Sequence, residues 1–320
     1  MKGKYKAMMN QMKFPTRRGF CLTWLVVAFV SIALDADPLS AQGSKKEEDP
    51  RLKARPITLQ TKDGMELQAY YFPSDQKKAA TTVLLVHEWQ GQAGTYGKLA
   101  SALNKAGCAV LALDYRGHGK SSSYVNARGD KTKIDPEKLS RKDAEAIVTL
   151  DLEKAKAFLK DENNDGYLNL NALVVIGVGE GCVLGNLWAM RDWSFPSVGR
   201  VKQGQDVKGL VLISPEKQVK GLPLEPSLND NNLLQLPTLI MAGKTSSDAS
   251  EARRIESRIA ARKKKVGRGE VTGLSLELLD SNLSDASLVS QADGAIKSIV
   301  SFVTTEVKGN DRRNPWVERD

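Results

Sequence analysis

Five short apolar runs, at residues 83–86, 109–113, 173–176, 210–213 and 238–241, constrain this 320-residue chain more than any other feature. They are nearly continuous instead of alternating, which marks strands buried on both faces. A sixth, weaker run covers residues 274–279. Between the runs, apolar residues recur at helical spacing: Tyr96, Leu99, Ala100 and Leu103; Ile147, Leu150, Ala155, Phe158 and Leu159; Ala252, Ile255 and Ile259; Ile296, Ile299, Val300 and Val303. This alternation predicts an α/β fold with a doubly wound, mostly parallel sheet and right-handed crossovers. Ahead of it, residues 57–61 and 65–72 flank Lys62-Asp63-Gly64, a hairpin signal that predicts an antiparallel edge. With 41% apolar and 27% charged residues, the chain is neither disordered, collagen-like nor a polytopic membrane protein.

The two ends differ from this middle. Residues 1–41 have six basic side chains (Lys2, Lys4, Lys6, Lys13, Arg17, Arg18), then an apolar run from Gly19 to Leu34 and the small-residue site Leu39-Ser40-Ala41, the pattern of a secretory signal peptide. Export to the periplasm or the medium is expected, with an uncleaved signal as the alternative that would tether the protein to the membrane. Thr16-Arg17-Arg18-Gly19-Phe20 also resembles a twin-arginine signal, though a plain basic leader is the preferred reading. Residues 42–54 are expected to be a flexible polar linker, residues 55–308 a single domain, and residues 309–320 a disordered polar tail. Removing the leader takes six positive and two negative charges, so the balance falls from 47 − 38 = +9 to 41 − 36 = +5. Nucleic acid is therefore not an expected partner. The basic stretch Arg253 to Arg268 reads as a solvated helix, with Ile255 and Ile259 on its inner face and cations in its last turn. The leader also removes Cys21, and Cys108 and Cys182 are expected as free, buried thiols at opposite ends of the sheet.

Ligands of such a sheet meet the loops at the carboxyl ends of its strands. Three of those loops carry motifs. Val86-His87-Glu88-Trp89-Gln90-Gly91 is similar to the strand-3 loop of dienelactone hydrolases, and Asp114-Tyr115-Arg116-Gly117-His118-Gly119-Lys120-Ser121 resembles the strand-4 loop of esterases and lipases. Ile176-Gly177-Val178-Gly179-Glu180-Gly181 falls where a nucleophile elbow belongs. In order and separation these motifs resemble the α/β-hydrolase superfamily from about Arg55 to Val303. The 23 residues from Ser214 to Leu236 leave no room for a large lid.

The resemblance implies a nucleophile at the elbow centre, a histidine after the last strand and an acid after strand 7. The centre is Gly179, which has no atom to attack a carbonyl. Residues 279–288 hold no histidine, since His87 and His118 belong to the strand-3 and strand-4 motifs. The expected acid position is Ser246; Asp248 is a possible acid two residues on, or a cap for the helix that follows. Glu216 is a second candidate acid, and Cys182 a small packing residue instead of a displaced nucleophile. No catalytic residue is assigned with assurance. The expected ligand pocket is Glu88, Trp89, Gly179 and Glu180, with Glu180 either opposing an oxyanion or capping its helix. Residues 161–166 match the first half of an EF-hand loop, but position twelve is Ala172, so a helix-to-strand turn is expected. No metal, nucleotide or other cofactor is implied. The sequence thus predicts a hydrolase-like fold without its chemistry, acting by binding a small molecule or a protein at the former active-site face. The alternative is an active serine- or cysteine-type ester or peptide hydrolase with a non-standard set drawn from Cys182, Glu88 or His118.

Overall fold

A computed structural model describes residues 49–319, apart from 126–127, 200, 267–270 and 310. The expected signal segment lies outside the described residues. The main elements are β1 (Arg55–Gln60), β2 (Glu66–Phe72), β3 (Thr81–Val86), α1 (Gly97–Lys105), β4 (Ala109–Leu113), α2 (Arg141–Ala146), α3 (Leu152–Asn164), β5 (Asn169–Val178), α4 (Gly181–Ser194), β6 (Val207–Ile213), α5 (Glu225–Leu228), β7 (Thr238–Gly243), α6 (Ala249–Val266), β8 (Leu274–Leu279), α7 (Asp285–Gln291) and α8 (Ala295–Glu306). The strands form one eight-stranded sheet in the order β1-β2-β4-β3-β5-β6-β7-β8. β1 pairs antiparallel with β2, and β2 with β4; every other pairing is parallel. All residues of β3, β4, β5 and β7 are buried, as their unbroken apolar character requires. Alternate side chains enter two cores. Leu84 and Val86 pack under α2, α3, α4 and α6, while Val83 and Leu85 pack under α1, α7 and α8. Cys108 and Cys182 are free and buried, as expected.

The second helical layer begins earlier than its apolar period suggests. Asp143 accepts from the Ser140 amide and hydroxyl at 2.7 and 2.8 Å, a cap that starts α2. Residues Ile147–Asp151 then form a π-helical stretch before α3. That extra residue per turn faces Asp151 inward, where it accepts from the Arg116 amide, Nε and Nη2 at 2.7–3.1 Å. At the end of α3, Asn163 Oδ1 accepts from the Leu170 amide and Gly166 turns the chain into β5 at φ +82°, so the EF-hand half-match is a helix-to-strand turn. Ile255 and Ile259 of α6 face the core, and Arg254 and Arg258 pair with Glu225 at 3.4 and 2.6 Å.

The described parts of both polar ends make side-chain contacts to the domain. Arg51 pairs with Glu162 and Asp165 at 3.2 and 2.8 Å, and Tyr167 donates to Asp49. At the other end, side-chain amides of Asn163, Asn169 and Asn171 donate to the carbonyls of Val317, Asn314 and Pro315. Arg319, 3% exposed, pairs with the buried Asp206. Backbone carbonyls and single charges make these contacts, and neither shows as hydrophobic pattern.

Candidate functional site

The strand β5 to helix α4 crossing keeps the form of a nucleophile elbow. A Cβ at residue 177 would lie 2.5 Å from the Cys182 backbone, and one at residue 181 would lie 2.3 Å from the Val86 carbonyl oxygen. Only glycine permits that approach. Between them Gly179 has φ +53°, the left-handed conformation that a nucleophile at this point would have to endure, and its amide donates to the Ile213 carbonyl at 2.9 Å. The space above it is filled. A Cβ on Gly179 would stand 2.8 Å from Asp285 Oδ1 and 2.9 Å from Glu88 Cβ.

The acyl-transfer apparatus would also need amide donors from the residue after the elbow centre and from the strand-3 loop. Here the Glu180 carboxylate turns back and Oε2 accepts from the Trp89 amide at 3.1 Å. An anion already takes up a loop donor, so Glu180 neither waits beside a free donor nor caps its own helix. Glu88, from the same loop, accepts from the Tyr96 hydroxyl. Burial, and after it the Glu180 charge, raises its carboxyl above the usual range. Trp89 packs edge-on against His118 at 4.6 Å, and Lys220 Nζ stands 5.4 Å from its ring centre.

Both histidines are buried and hard to protonate at neutral pH. His87, 0% exposed, directs Nδ1 at the Glu88 carbonyl at 2.7 Å, and burial lowers it to about 3. His118, 2% exposed, directs Nδ1 at the Arg116 carbonyl at 2.9 Å, and burial lowers it to about 4. A carbonyl only accepts, so each Nδ1 holds the proton and both rings are neutral. His87 stacks on Tyr115 with ring centres 4.1 Å apart, and His118 packs tilted against the same ring at 4.5 Å. Cys182 is equally withdrawn. Its thiol donates to the Ile213 carbonyl at 3.5 Å, and burial raises it well above its ordinary value.

The position after β8 holds Asp285, which sequence reasoning passed over while looking for an imidazole. Its amide donates to Ser214 Oγ at 2.8 Å, and burial with the charges of Asp248, Glu88, Glu180 and Glu216 pushes its carboxyl up to about 7. The signal was present: Asp285, with Asp280, is one of two acids in the window 279–288. Asp248 is 9% exposed; Oδ1 accepts from Ser247 Oγ at 2.8 Å and Oδ2 has no hydrogen-bond partner, so its side chain is not the helix cap that the sequence allowed. Glu216 is raised by burial and by Glu180 and Asp248. The five loops after β3, β5, β6, β7 and β8 each contribute one carboxylate to a single mouth. Of the expected pocket residues, Glu88, Trp89, Gly179 and Glu180 do come together, but Glu180 binds the Trp89 amide and Trp89 packs on His118. A cleft of about 590 Å³ lies elsewhere, between residues 60–62 and residues 149–157.

The sequence profile described as serine aminopeptidase, S33, matches residues 77–264, more than half of the chain. The chain belongs to that family. Within the S33 family's fold, its solved neighbours include an esterase from Pyrococcus furiosus (17% identity, 80% of this chain and 92% of that one, TM-score 0.53). An esterase from Pyrobaculum calidifontis aligns with 14% identity over 79% of this chain and 83% of that one, TM-score 0.55. A dienelactone hydrolase from Anabaena variabilis aligns with 12% identity over 79% and 96%, TM-score 0.51. These likenesses establish the α/β-hydrolase fold. An uncharacterized protein of Mycobacterium tuberculosis is 33% identical over 75 residues, 23% of this chain and 27% of that protein. The match thus spans about a quarter of the curated relative's length.

Proposed function

We propose that this S33 family member is an exported, non-catalytic hydrolase-fold protein that binds a ligand or partner at the mouth formed by its carboxyl-end loops. One observation carries the reading: the elbow centre is a glycine at φ +53° with no side-chain atom to attack, and an added Cβ would crowd Asp285 Oδ1 and Glu88 Cβ at 2.8 and 2.9 Å. The neutral, buried histidines and the Glu180 carboxylate on the Trp89 amide agree with it. Export rests on the leader at residues 1–41. The test is turnover of p-nitrophenyl esters and aminoacyl p-nitroanilides, with fluorophosphonate and iodoacetamide labelling, on protein recovered from the exported fraction. The expected result is no turnover, no labelled side chain and a mass lacking the leader. Gly179→Ser is expected to remain inactive and to lose about 1–3 kcal/mol of stability, since it strains the turn and meets Asp285. Ester turnover abolished by Cys182→Ala or His118→Ala would instead establish an active hydrolase with a non-standard set.

A further inference from the structure

We infer that the end of the molecule where the parallel strands begin docks on an anionic lipid surface, with Val266 and Val271 entering it and the lysines around them meeting its headgroups. The inference stands apart from the non-catalytic reading, since it concerns the end opposite the elbow.

The apolar stripe of a helix ordinarily ends with the surface it packs on. In α6 it runs further. Ile255, Ile259 and Lys263 lie along one face and are buried; Val266, seven residues after Ile259, continues that face but is 53% exposed. Lys263 Nζ donates to the Leu236 and Thr272 carbonyls at 3.2 and 2.9 Å, which pins the last covered turn just ahead of β8. Past it, Val271 is 36% exposed. Scattered apolar residues at a surface are ordinary, but among the described residues only three large ones stand out this far, and two of them are five positions apart.

The surrounding charge selects the occupant. Strands β3 to β8 are mutually parallel, so α1, α6 and α8 all end where those strands begin. Lys264 and Lys265 are exposed beside Val266, Lys105 is exposed at the end of α1, and Lys308 is exposed after α8, whose Val307 carbonyl accepts from the Thr81 hydroxyl at the start of β3 at 2.8 Å. Lys105 and Lys308 share one cleft with Asp75. Other acids of this end, Asp165 and Asp311, pair with Arg51 and Arg313. Glu88, Glu180, Glu216, Asp248 and Asp285 follow the strands at the far end, so an anionic surface attracts one end and repels the other. A nucleic acid would engage the lysines and leave the valines in water, whereas a bilayer places an apolar layer directly behind its anionic headgroups. Asp49 accepts from Tyr167 ahead of β5, so a retained leader would join the domain at this same end.

The test is co-sedimentation of the chain from Gln42, which keeps every described element, with vesicles of phosphatidylcholine alone or with phosphatidylglycerol added. Binding is expected to the anionic vesicles only, with release at high salt. Lys264→Glu with Lys265→Glu should weaken partitioning by roughly tenfold or more, and Val266→Ser with Val271→Ser by roughly threefold or more. Lys62→Glu with Lys244→Glu makes the same charge change at the other end and should bind as the parent does. All six side chains are exposed or partly exposed, and melting with the parent confirms that each variant is folded. No sedimentation with anionic vesicles, equal loss in the Lys62 and Lys244 variant, or a valine variant that binds like the parent would each overturn the inference, the last by reducing the surface to a general polyanion patch.

Discussion

Asp285 occupies left-handed backbone at φ +49°, which few residues other than glycine adopt, and does so next to Ser214 at φ +48°. A carboxyl held at about 7 in the fold, against its ordinary 3.8, ties stability to pH with a definite sign. Below about pH 4 both folded and unfolded chains keep the proton, and the group costs nothing. Between there and pH 7 the unfolded chain releases it first, so stability falls as pH rises; above 7 the penalty is complete. The facing groups are Glu88 from the β3 loop, Glu180 from the elbow, Glu216 from the β6 loop and Asp248 from the β7 loop. Asp285→Asn is therefore expected to melt higher than the parent at pH 8 and to differ little at pH 4. The difference between the two Tm-against-pH curves measures it, and curves that stay parallel across this range would contradict the assignment.

At the scale of elements, the strand-4 motif and the π-helical stretch depend on each other. Arg116 spans Asp151 and Asp63, with Nη1 2.8 Å from Asp63 Oδ2, and so fastens the helical layer to the β1–β2 hairpin turn. Arg116→Met would strand the fully buried Asp151, at a cost of about 3–5 kcal/mol. Urea midpoints should show that loss, and Asp151→Leu added to Arg116→Met should recover much of it. The sheet strands were legible in the sequence because burial on both faces leaves unbroken apolar runs, as at residues 109–113. The π stretch was not, because Ile147 and Leu150 read as an ordinary helical period while the residues buried there are Ile147, Val148 and Asp151. Helix α7 was missed for a related reason: in Asp285–Gln291 only Leu288 and Val289 are buried. The glycine at residue 179 was legible, because it is visible in one letter. That Glu180 would reach the Trp89 amide was not, since the two are 91 positions apart and only the fold brings them together.

For the molecule as a whole, the segment after α8 acts as a strap. Arg319 reaches Asp206, which also holds Lys156 and Lys202, and three asparagines fix the backbone between. Removing residues 315–320 should lower stability by about 1–3 kcal/mol, since Asp206 keeps two ammonium partners while Asn163 and Asn171 lose theirs. Thermal melting of the truncated chain checks this, and an unchanged Tm would show that the strap contributes nothing. The strap and the turn at Asp49 both attach where the parallel strands begin, beside Tyr167 and Asn169. The carboxylates gather where those strands finish. A six-residue strand such as β3 separates the two ends by roughly 20 Å. A fluorophore or resin coupled near residue 49 or residue 319 would thus grip the protein from behind, leaving the acidic front open to whatever the surrounding medium offers.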